Sequence, residues 1–337
     1  MNRRKFITTA VGGAFAAAAI YGYYQYSKPT RIENYPSSTI KLTESSQTTD
    51  YSMSITKSST QSSVTPPKDA SYLAVVHGKN PTRIVEAALI ALGGIERFVK
   101  SGDDVIIKPN ICVSYRSFEY AATTNPEVVG ALTSLSLDAG AKRVRVMDNA
   151  FGGSSENAYT KSGIEEAVKA AGGEMELMSS IKYREVDIPN GKDITRWSIY
   201  GDVLDADVLI NVPIAKHHSL ARLTLGMKNL LGIVQNANRF HSNLAQRTAD
   251  LNSRVHSSLT VVDAVRILKD HGPTGGNLDD VEIVNTVIAS HDIIAADSYA
   301  ATLFGLTGND IPIIRAGAQM DLGNMDLNSI TVKKIDV

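Results

Sequence analysis

The chain has 337 residues, 43% of them hydrophobic, and a formal net charge of -1 at pH 7. A chain of this size can bury the core of one large domain or two lobes. The near-neutral charge argues against nucleic-acid binding, because neutralising phosphates requires clustered lysine and arginine. Cys112 is the only cysteine, which excludes an internal disulfide, a cysteine-ligated iron–sulfur cluster and a zinc site built on several cysteines.

The N-terminus has the pattern of an export signal. Arg3 and Arg4 precede a mildly apolar run that is rich in alanine and glycine. This resembles a twin-arginine signal, whose arginine pair is recognised by export machinery; the alternative is an ordinary secretory signal or anchor. As a helix, residues 6–24 would be about 28 Å long and nearly span a bilayer. We therefore predict that residues 1–26 are a signal or an uncleaved anchor, and that the protein is secreted or held at the outer face of the cytoplasmic membrane.

The next segment, residues 27–70, differs in composition from the rest of the chain. More than half of residues 37–65 are serine or threonine, and Pro66 and Pro67 follow. So few large apolar side chains cannot offset the entropy lost on ordering the backbone. The sequence therefore predicts a disordered linker that separates the membrane-directed end from a folded domain at residues 71–337.

Strand and helix patterns alternate from residue 72 onward. Alternation of this kind is typical of an α/β domain with a mostly parallel sheet and flanking helices. Asn125 and Pro126 match the N-cap and first position of a helix. Strands are predicted at residues 72–76, 104–108, 143–147, 208–212, 259–262 and 281–289 and near 175 and 186. Helices are predicted at residues 82–99, 126–139, 162–171, 244–255, 295–304 and 313–320.

Residues 211–234 carry the most informative pattern, NVPIAKHHSLARLTLGMKNLLGIV. Lysines, histidines, an arginine and asparagines lie in an otherwise apolar segment. Burying a charge is costly unless a carboxylate, a metal or a bound anion pairs with it. In parallel sheets, ligands bind outside the carboxyl ends of the strands. Polar residues occupy that place after four predicted strands: Lys108 and Asn110, Asp148 and Asn149, Lys216 and His217, and Asp263.

Three interpretations of these residues stay open. The first is a binding site for a small carboxylate- or phosphate-bearing molecule or cofactor, with lysines supplying charge and amides and a helix N-terminus supplying donors. Its predicted ligand-binding residues are Lys108, Asn110, Thr124, Asn149, Lys228, Asn229 and Arg239, together with Lys216.

The second interpretation is a metal site formed by His217, His241 and Asp263, with Asp148 as a further candidate. Imidazole and carboxylate ligands suit zinc, iron or nickel, but no metal-binding spacing motif is present. The third is structural: lysines that extend to solvent and histidines bonded to backbone, in a domain that only binds other proteins.

The candidate catalytic residues, should the protein be an enzyme, are His217, His241 and Lys216. Imidazole titrates near neutral pH and suits acid–base catalysis. A lysine among other cations loses proton affinity, which favours a role as base or Schiff-base former. Hydrolase, NTPase and dinucleotide-binding motifs are absent from the sequence.

Several segments, in this order, resemble the family known as domain of unknown function 362. The resemblance covers residues 72–337 and implies a fold, but no named activity. Some members carry ferredoxin-type cysteine segments, and this chain departs from them because it has only Cys112. The matching segments are IIKPNI (106–111), TTNPEVVGAL (123–132), VMDNA (146–150), residues 211–234, RFH (239–241), TVVDAV (260–265), HGPTGG (271–276) and IASHDIIAAD (288–297).

The sequence as a whole predicts an exported or membrane-tethered α/β domain that binds an anionic small molecule or cofactor, with metal-assisted catalysis as an extension. The alternative is a non-catalytic extracytoplasmic interaction domain. The expected partners are the ligand, the twin-arginine export machinery and, through an uncleaved N-terminus, the membrane. The sequence does not identify the cofactor.

Overall fold

A computed structural model describes residues 72–337. The predicted signal or anchor at residues 1–26 and the linker at residues 27–70 lie outside this part. Within residues 72–337, no helix has the length and apolar character needed to cross a membrane. The predicted fold class is confirmed, because the described chain forms an α/β domain around a mostly parallel central sheet.

The strands follow one another along the chain with most helices between them. In chain order the strands are β1 Leu73–His77, β2 Asp104–Pro109, β3 Arg143–Val146, β4 Glu174–Met175, β5 Tyr183–Asp187, β6 Arg196–Tyr200, β7 Val208–Val212, β8 Ile214–His218, β9 Arg222–Thr224, β10 Leu259–Leu268, β11 Val281–Ser290 and β12 Val332–Asp336. The helices are α1 Pro81–Ala91, α2 Pro126–Asp138, α3 Ser155–Ser162, α4 Ile164–Ala170, α5 Gly201–Asp205, α6 Gly226–Asn229, α7 Leu244–Asn252, α8 Ile293–Thr302 and α9 Pro312–Ala318.

The main sheet has the order β12-β1-β11-β10-β7-β2-β3-β4, and β5 and β6 form a separate hairpin. The strands from β10 to β4 pair in parallel, whereas β11 is antiparallel to both of its neighbours. Beyond Pro213 the chain continues as β8, which pairs with the second half of β10 and with β9. The β8–β9 hairpin therefore extends past the carboxyl ends of β2 and β7, and it carries the lysine and histidines of residues 211–234 to that edge.

The central strands are apolar because helices cover both faces of the sheet. On β2, Ile107 packs into the core under α1 and α2, whereas Ile106 packs into the core on the opposite face. Helix α2 begins as predicted: the side chain of Asn125 accepts a hydrogen bond from the Glu127 amide, and Pro126 is the first helical residue. This cap fixes the start of α2 beside the end of β2.

Two predicted helices differ from the structure at glycines. The helix predicted at residues 82–99 ends at Ala91, because Gly93 and Gly94 adopt φ of 99° and 92°, in the left-handed region. The segment predicted as one helix at residues 162–171 belongs to two helices, α3 and α4, separated by Gly163 at φ 77°. Glycine adopts such angles at little cost, and they end a right-handed helix.

Several strands were not predicted from the sequence. β12 has the sequence VKKID, and its charged residues give no apolar run because the strand lies at the sheet edge. β8 and β9 are short, and their histidines and arginine interrupt the alternation of apolar and polar residues that is typical of a strand.

The buried guanidinium of Arg145 on β3 joins one edge of the domain through ion pairs with partly buried carboxylates. Its guanidinium lies 2.9 Å from Asp104 Oδ2 and 2.9 Å from Glu176 Oε2, and it also contacts Asp202. Lys182 pairs with Glu176 at 2.6 Å and with Asp202 at 2.8 Å. The set ties β2 and β3 to α5 and to the segment after β4.

We expect Arg145→Met to lower the free energy of unfolding by about 3–5 kcal/mol, because three carboxylates would face one another without their shared guanidinium. Urea denaturation measures the loss. The control is Arg196→Met, whose side chain is 64% exposed in its pair with Asp187 and should cost less than about 1 kcal/mol. Equal losses in the two variants would contradict the assignment.

Candidate functional site

The centre of the site is a buried ion pair between Lys108, near the end of β2, and Asp148, just after β3. Lys108 Nζ lies 2.7 Å from Asp148 Oδ1, and the two side chains are 1% and 4% exposed. Lys108 Nζ also donates to Pro109 O at 2.9 Å and to Asn229 Oδ1 at 3.2 Å. Burial lowers the pKa of Lys108, and the contact with Asp148 opposes that shift. All three ammonium hydrogens thus have an acceptor.

Both oxygens of the Asp148 carboxylate also accept hydrogen bonds from backbone amides. Its Oδ2 accepts from the Ile111 amide at 2.6 Å, and its Oδ1 accepts from the Asn149 amide at 2.9 Å. Burial raises the pKa of Asp148, against the effect of Lys108 and these amides. Gly232 packs on the pair: a Cβ there would overlap Asp148 Oδ1 and lie 2.8 Å from Lys108 Nζ. The glycine is required by this close approach.

Three asparagines connect the ion pair to the neighbouring elements. Asn229 Nδ2 donates to Asn211 Oδ1 at 2.8 Å, and Asn110 Nδ2 donates to Asn229 Oδ1 at 2.9 Å. Asn211 Nδ2 in turn donates to Gly226 O at 2.9 Å. The amides predicted as ligand donors at residues 110 and 229 are therefore hydrogen-bonded to other side chains of the site.

Lys216 on β8 is buried without a carboxylate partner. Its Nζ donates to Asn110 Oδ1 at 2.9 Å, Ala122 O at 2.6 Å and Pro273 O at 3.0 Å. The side chain is fully buried, and burial lowers its pKa. Its charge is therefore solvated by neutral oxygens, with Cys112 as a further neighbour.

Lys228, near the end of α6, is half-buried and differs from the other two lysines. Among residues 72–337, neither a hydrogen-bond acceptor nor a carboxylate lies within bonding distance of its ammonium. Burial, followed by the charge of Lys216, lowers the pKa of Lys228 to about 8. Asp297 fixes the start of α6, since its carboxylate accepts from the Gly226 and Met227 amides at 2.6 and 2.9 Å.

His218 is a site residue that the sequence predictions missed. Its Nδ1 accepts from the Leu220 and Ala221 amides at 3.1 and 3.3 Å, so the proton of the neutral ring lies on Nε2. Burial, followed by the charges of Lys228 and Lys216, lowers its pKa to about 3. The sequence does contain a signal for His218. Side chains alternate between the two faces of a strand, so residues 216 and 218 project to the same face.

His218 also lines an open groove beside the β8–β9 hairpin. The groove has a volume of about 570 Å³, within the range of small-molecule sites. Its wall combines basic and apolar side chains: His217, His218, Arg222, Lys269, Phe304 and Leu306.

The residues predicted as metal ligands are not brought together. His217 Nδ1 accepts from the Gly272 amide at 3.1 Å, and His241 is exposed. Both oxygens of Asp263 are bonded to the Asn125 and Val265 amides, at 2.7 and 2.9 Å. Within the part of the chain that the structure describes, no three His, Cys, Asp or Glu side chains are placed to hold a metal.

The other three predicted ligand residues have separate roles. Thr124 is buried, and its hydroxyl accepts from the Asn110 amide at 2.9 Å and donates to Val212 O at 2.8 Å, which joins β2 to β7. Asn149 is exposed and contributes its backbone amide to the site. The Arg239 guanidinium stacks 5.4 Å from the ring centroid of Trp197, away from the lysines' hydrogen bonds. Only Thr124 of the three places its side chain within the network.

We expect Lys108→Met and Asp148→Asn each to cost about 3–5 kcal/mol of unfolding free energy, because each leaves one buried charge without its partner. The double variant should cost much less than the sum, as urea denaturation at pH 7 would measure. The matched control is the exposed pair Arg184–Asp205, with an expected coupling below about 1 kcal/mol. Additive effects at residues 108 and 148 would rule out a coupled pair.

The chain is similar to proteins of known sequence and structure. A thylakoid-associated protein of Synechocystis sp. is 28% identical over 250 residues, which cover 68% of this chain and 72% of that protein. Two solved structures share 12% identity: the lactate racemase apoprotein from Thermoanaerobacterium thermosaccharolyticum, with a TM-score of 0.45, and a Thermotoga maritima protein, with 0.42.

The matched regions cover 70% and 67% of this chain, but only 58% and 60% of those two chains. The sequence profile of the family described as Domain of unknown function (DUF362) matches residues 105–302, which include the lysines and asparagines of the site. The chain therefore belongs to the DUF362 family.

Proposed function

We propose that the domain binds a small anion, a carboxylate or a phosphate, against Lys228 at the carboxyl end of the sheet. The observation that carries the proposal is a charge imbalance. Asp148 is engaged by Lys108, whereas Lys216 and Lys228 have no carboxylate within bonding distance among residues 72–337. An anion beside Lys228 would supply the missing negative charge.

The electrostatic interaction between buried lysines and an anion favours such a ligand. Two unit charges 4 Å apart interact by about 4 kcal/mol at the effective dielectric constant of a protein surface. Burial is the largest cause that lowers the pKa values of all three lysines. The charge of Lys216 lowers the pKa values of Lys108 and Lys228 further, whereas the charge of Asp148 opposes the shift of Lys216. A bound anion reverses this repulsion, and its binding is coupled to protonation of Lys228.

The lysines would contribute differently to binding. Lys108 and Lys216 already donate all three ammonium hydrogens, so they act on the ligand through their charge. Lys228 retains free donors, and His218 offers Nε2–H. We therefore propose that Lys228 and His218 contact the ligand directly; His217 and His218 line the groove.

The second candidate is a non-catalytic domain that binds other proteins. The hydrogen bonds of Lys108, Lys216, Asn110 and Asn229 are satisfied within the chain, which favours a structural role for those residues. Metal-assisted catalysis would require His217 and His241 to move towards a common centre. Anion titration separates these candidates from the principal proposal.

Isothermal titration of the protein with propionate should show saturable binding, and the neutral analogue propionamide should not bind. Lys228→Met should weaken propionate binding by at least about tenfold, since it removes the free cation. The control Lys333→Met replaces an exposed lysine on β12 and should leave the affinity unchanged.

The affinity for propionate should fall as the pH rises. Above the pKa of about 8, Lys228 loses its proton, so affinity should drop by up to about tenfold per pH unit while propionate keeps its charge. Phosphate serves as a second anion at pH 7. Absence of anion binding, or equal affinity in wild type and Lys228→Met, would refute the proposal.

We also propose that the N-terminus directs the protein to the twin-arginine export machinery and leaves the domain tethered to the membrane. The support is the Arg3-Arg4 pair, the apolar run after it and the Ser/Thr-rich linker. A thylakoid-associated relative is consistent with membrane association.

Replacing Arg3 and Arg4 by lysine should retain the protein in the cytoplasm, because the receptor recognises the arginine pair. Cell fractionation followed by immunoblotting measures the distribution. Arg83→Lys, at an exposed position of the folded domain, is the matched control. Unchanged export of the double variant would contradict the twin-arginine assignment.

A further inference from the structure

The open groove beside the β8–β9 hairpin is a cavity separate from the buried lysines. Its volume is about 570 Å³, and its lining, within residues 72–337, includes none of Lys108, Lys216 and Lys228. We propose that the groove binds a carboxylate with an unbranched apolar chain, a medium-chain fatty acid. The inference goes beyond the proposed anion site, because it assigns another cavity, with His218 as a common neighbour, and does not require Lys228.

The basic part of the lining comes from the β8–β9 hairpin and from the residue after β10. Arg222 and Lys269 line the groove, whereas no aspartate or glutamate of residues 72–337 does. The Arg222 guanidinium is held in place, because it donates to Asp310 O at 2.7 Å, with the Asp310 carboxylate 4.0 Å away. Lys269 pairs with Glu282 at 2.8 Å, but both side chains are at least half exposed, and such pairs are weak. Cations in a wall without carboxylates attract an anionic group.

Two histidines supply hydrogen-bond donors to the same cavity. His217 Nδ1 accepts from the Gly272 amide at 3.1 Å, and His218 Nδ1 accepts from the Leu220 amide at 3.1 Å. Each neutral ring therefore carries its proton on Nε2. Neither Nε2–H has a hydrogen-bond acceptor among residues 72–337, although His218 is only 7% exposed. A donor on so buried a ring is costly to leave unpaired, and a carboxylate oxygen in the groove would accept from it.

The apolar part of the lining comes from the segment that follows α8. Leu303, Phe304 and Leu306 line the groove, and all three also pack against the buried core. Because the core holds these side chains in place, this part of the cavity stays apolar. Such a surface contributes nothing to the binding of a small polar anion, but it shields the methylenes of an alkyl chain from water. A carboxylate with an alkyl chain matches both parts of the lining.

Isothermal titration of the full chain with carboxylates of increasing length tests the proposal. Octanoate should occupy one tight site per chain and bind at least about tenfold more tightly than propionate, since each fully buried methylene adds about fourfold in affinity. The neutral analogue octanamide should bind at least about tenfold more weakly than octanoate, because it lacks the charge that the basic lining attracts. Arg222→Gln removes the fixed guanidinium and should weaken octanoate binding by about tenfold.

Variants of the apolar lining separate chain binding from anion binding. Leu306→Gln and Phe304→Gln should each reduce the gain of octanoate over propionate by at least about tenfold, because a polar side chain replaces the surface that the alkyl chain contacts. The matched control is Ile90→Gln, which changes an apolar side chain on α1 that is 71% exposed; it should leave the gain unchanged. Thermal unfolding checks that all four glutamine variants fold.

The titrations also distinguish the groove from the proposed anion site. Lys228→Met should still bind octanoate, and loss of that binding would overturn the groove proposal. Octanoate that binds no more tightly than propionate, or that binds equally to wild type, Leu306→Gln and Arg222→Gln, would overturn it as well. Propionate binding that depends on Lys228 would in these cases leave the anion site standing. Octanoate binding that depends on Leu306, without any propionate binding, would support the groove and refute the anion site.

Discussion

The Lys108–Asp148 ion pair is the contact on which the carboxyl end of the sheet depends. It joins β2 to the residue that follows β3, and its remaining bonds reach the Ile111 amide and Asn229 on α6. An ion pair with so little exposure is stable only when every lone pair and proton finds a partner. The three asparagines and the bare Cα of Gly232 meet that condition. The packing of residues 226–233 on the sheet is therefore dictated by the charges beneath it.

Asp148 bonds to Lys108 and to two amides, and among residues 72–337 neither Lys216 nor Lys228 has a carboxylate within bonding distance. Lys216 obtains a shell of neutral oxygens from three different segments, which holds it rigidly in place. Lys228 obtains no such shell within the described residues and keeps free donors. The three lysines therefore differ in hydrogen bonding. Lys108 and Lys216 are fully bonded within the chain and shape the site, whereas Lys228 is available to a ligand. The anion proposal follows from this division.

The sequence was sufficient to predict part of the site. Lys108 and Asp148 were expected at one sheet edge because each comes at the end of an apolar strand, and their strands pair in parallel. The partners of Lys216 could not be predicted, because β8 pairs with the far half of β10 and carries the lysine beside Ala122 and Pro273. These contacts join residues separated by 94 and 57 positions, and no local pattern encodes such distances.

Two further buried aspartates, Asp263 and Asp297, bond to backbone amides and not to the lysines. Both oxygens of each carboxylate accept hydrogen bonds from backbone amides. Burial raises their pKa values to about 6 and about 7, so both carry less negative charge near neutral pH than an exposed carboxylate would. Asp263 fixes the start of α2 and Asp297 fixes the start of α6, which places Lys228 without neutralising it. Asp297 therefore helps to position Lys228 through the start of α6, and in the proposed function the negative charge beside that lysine comes from a ligand.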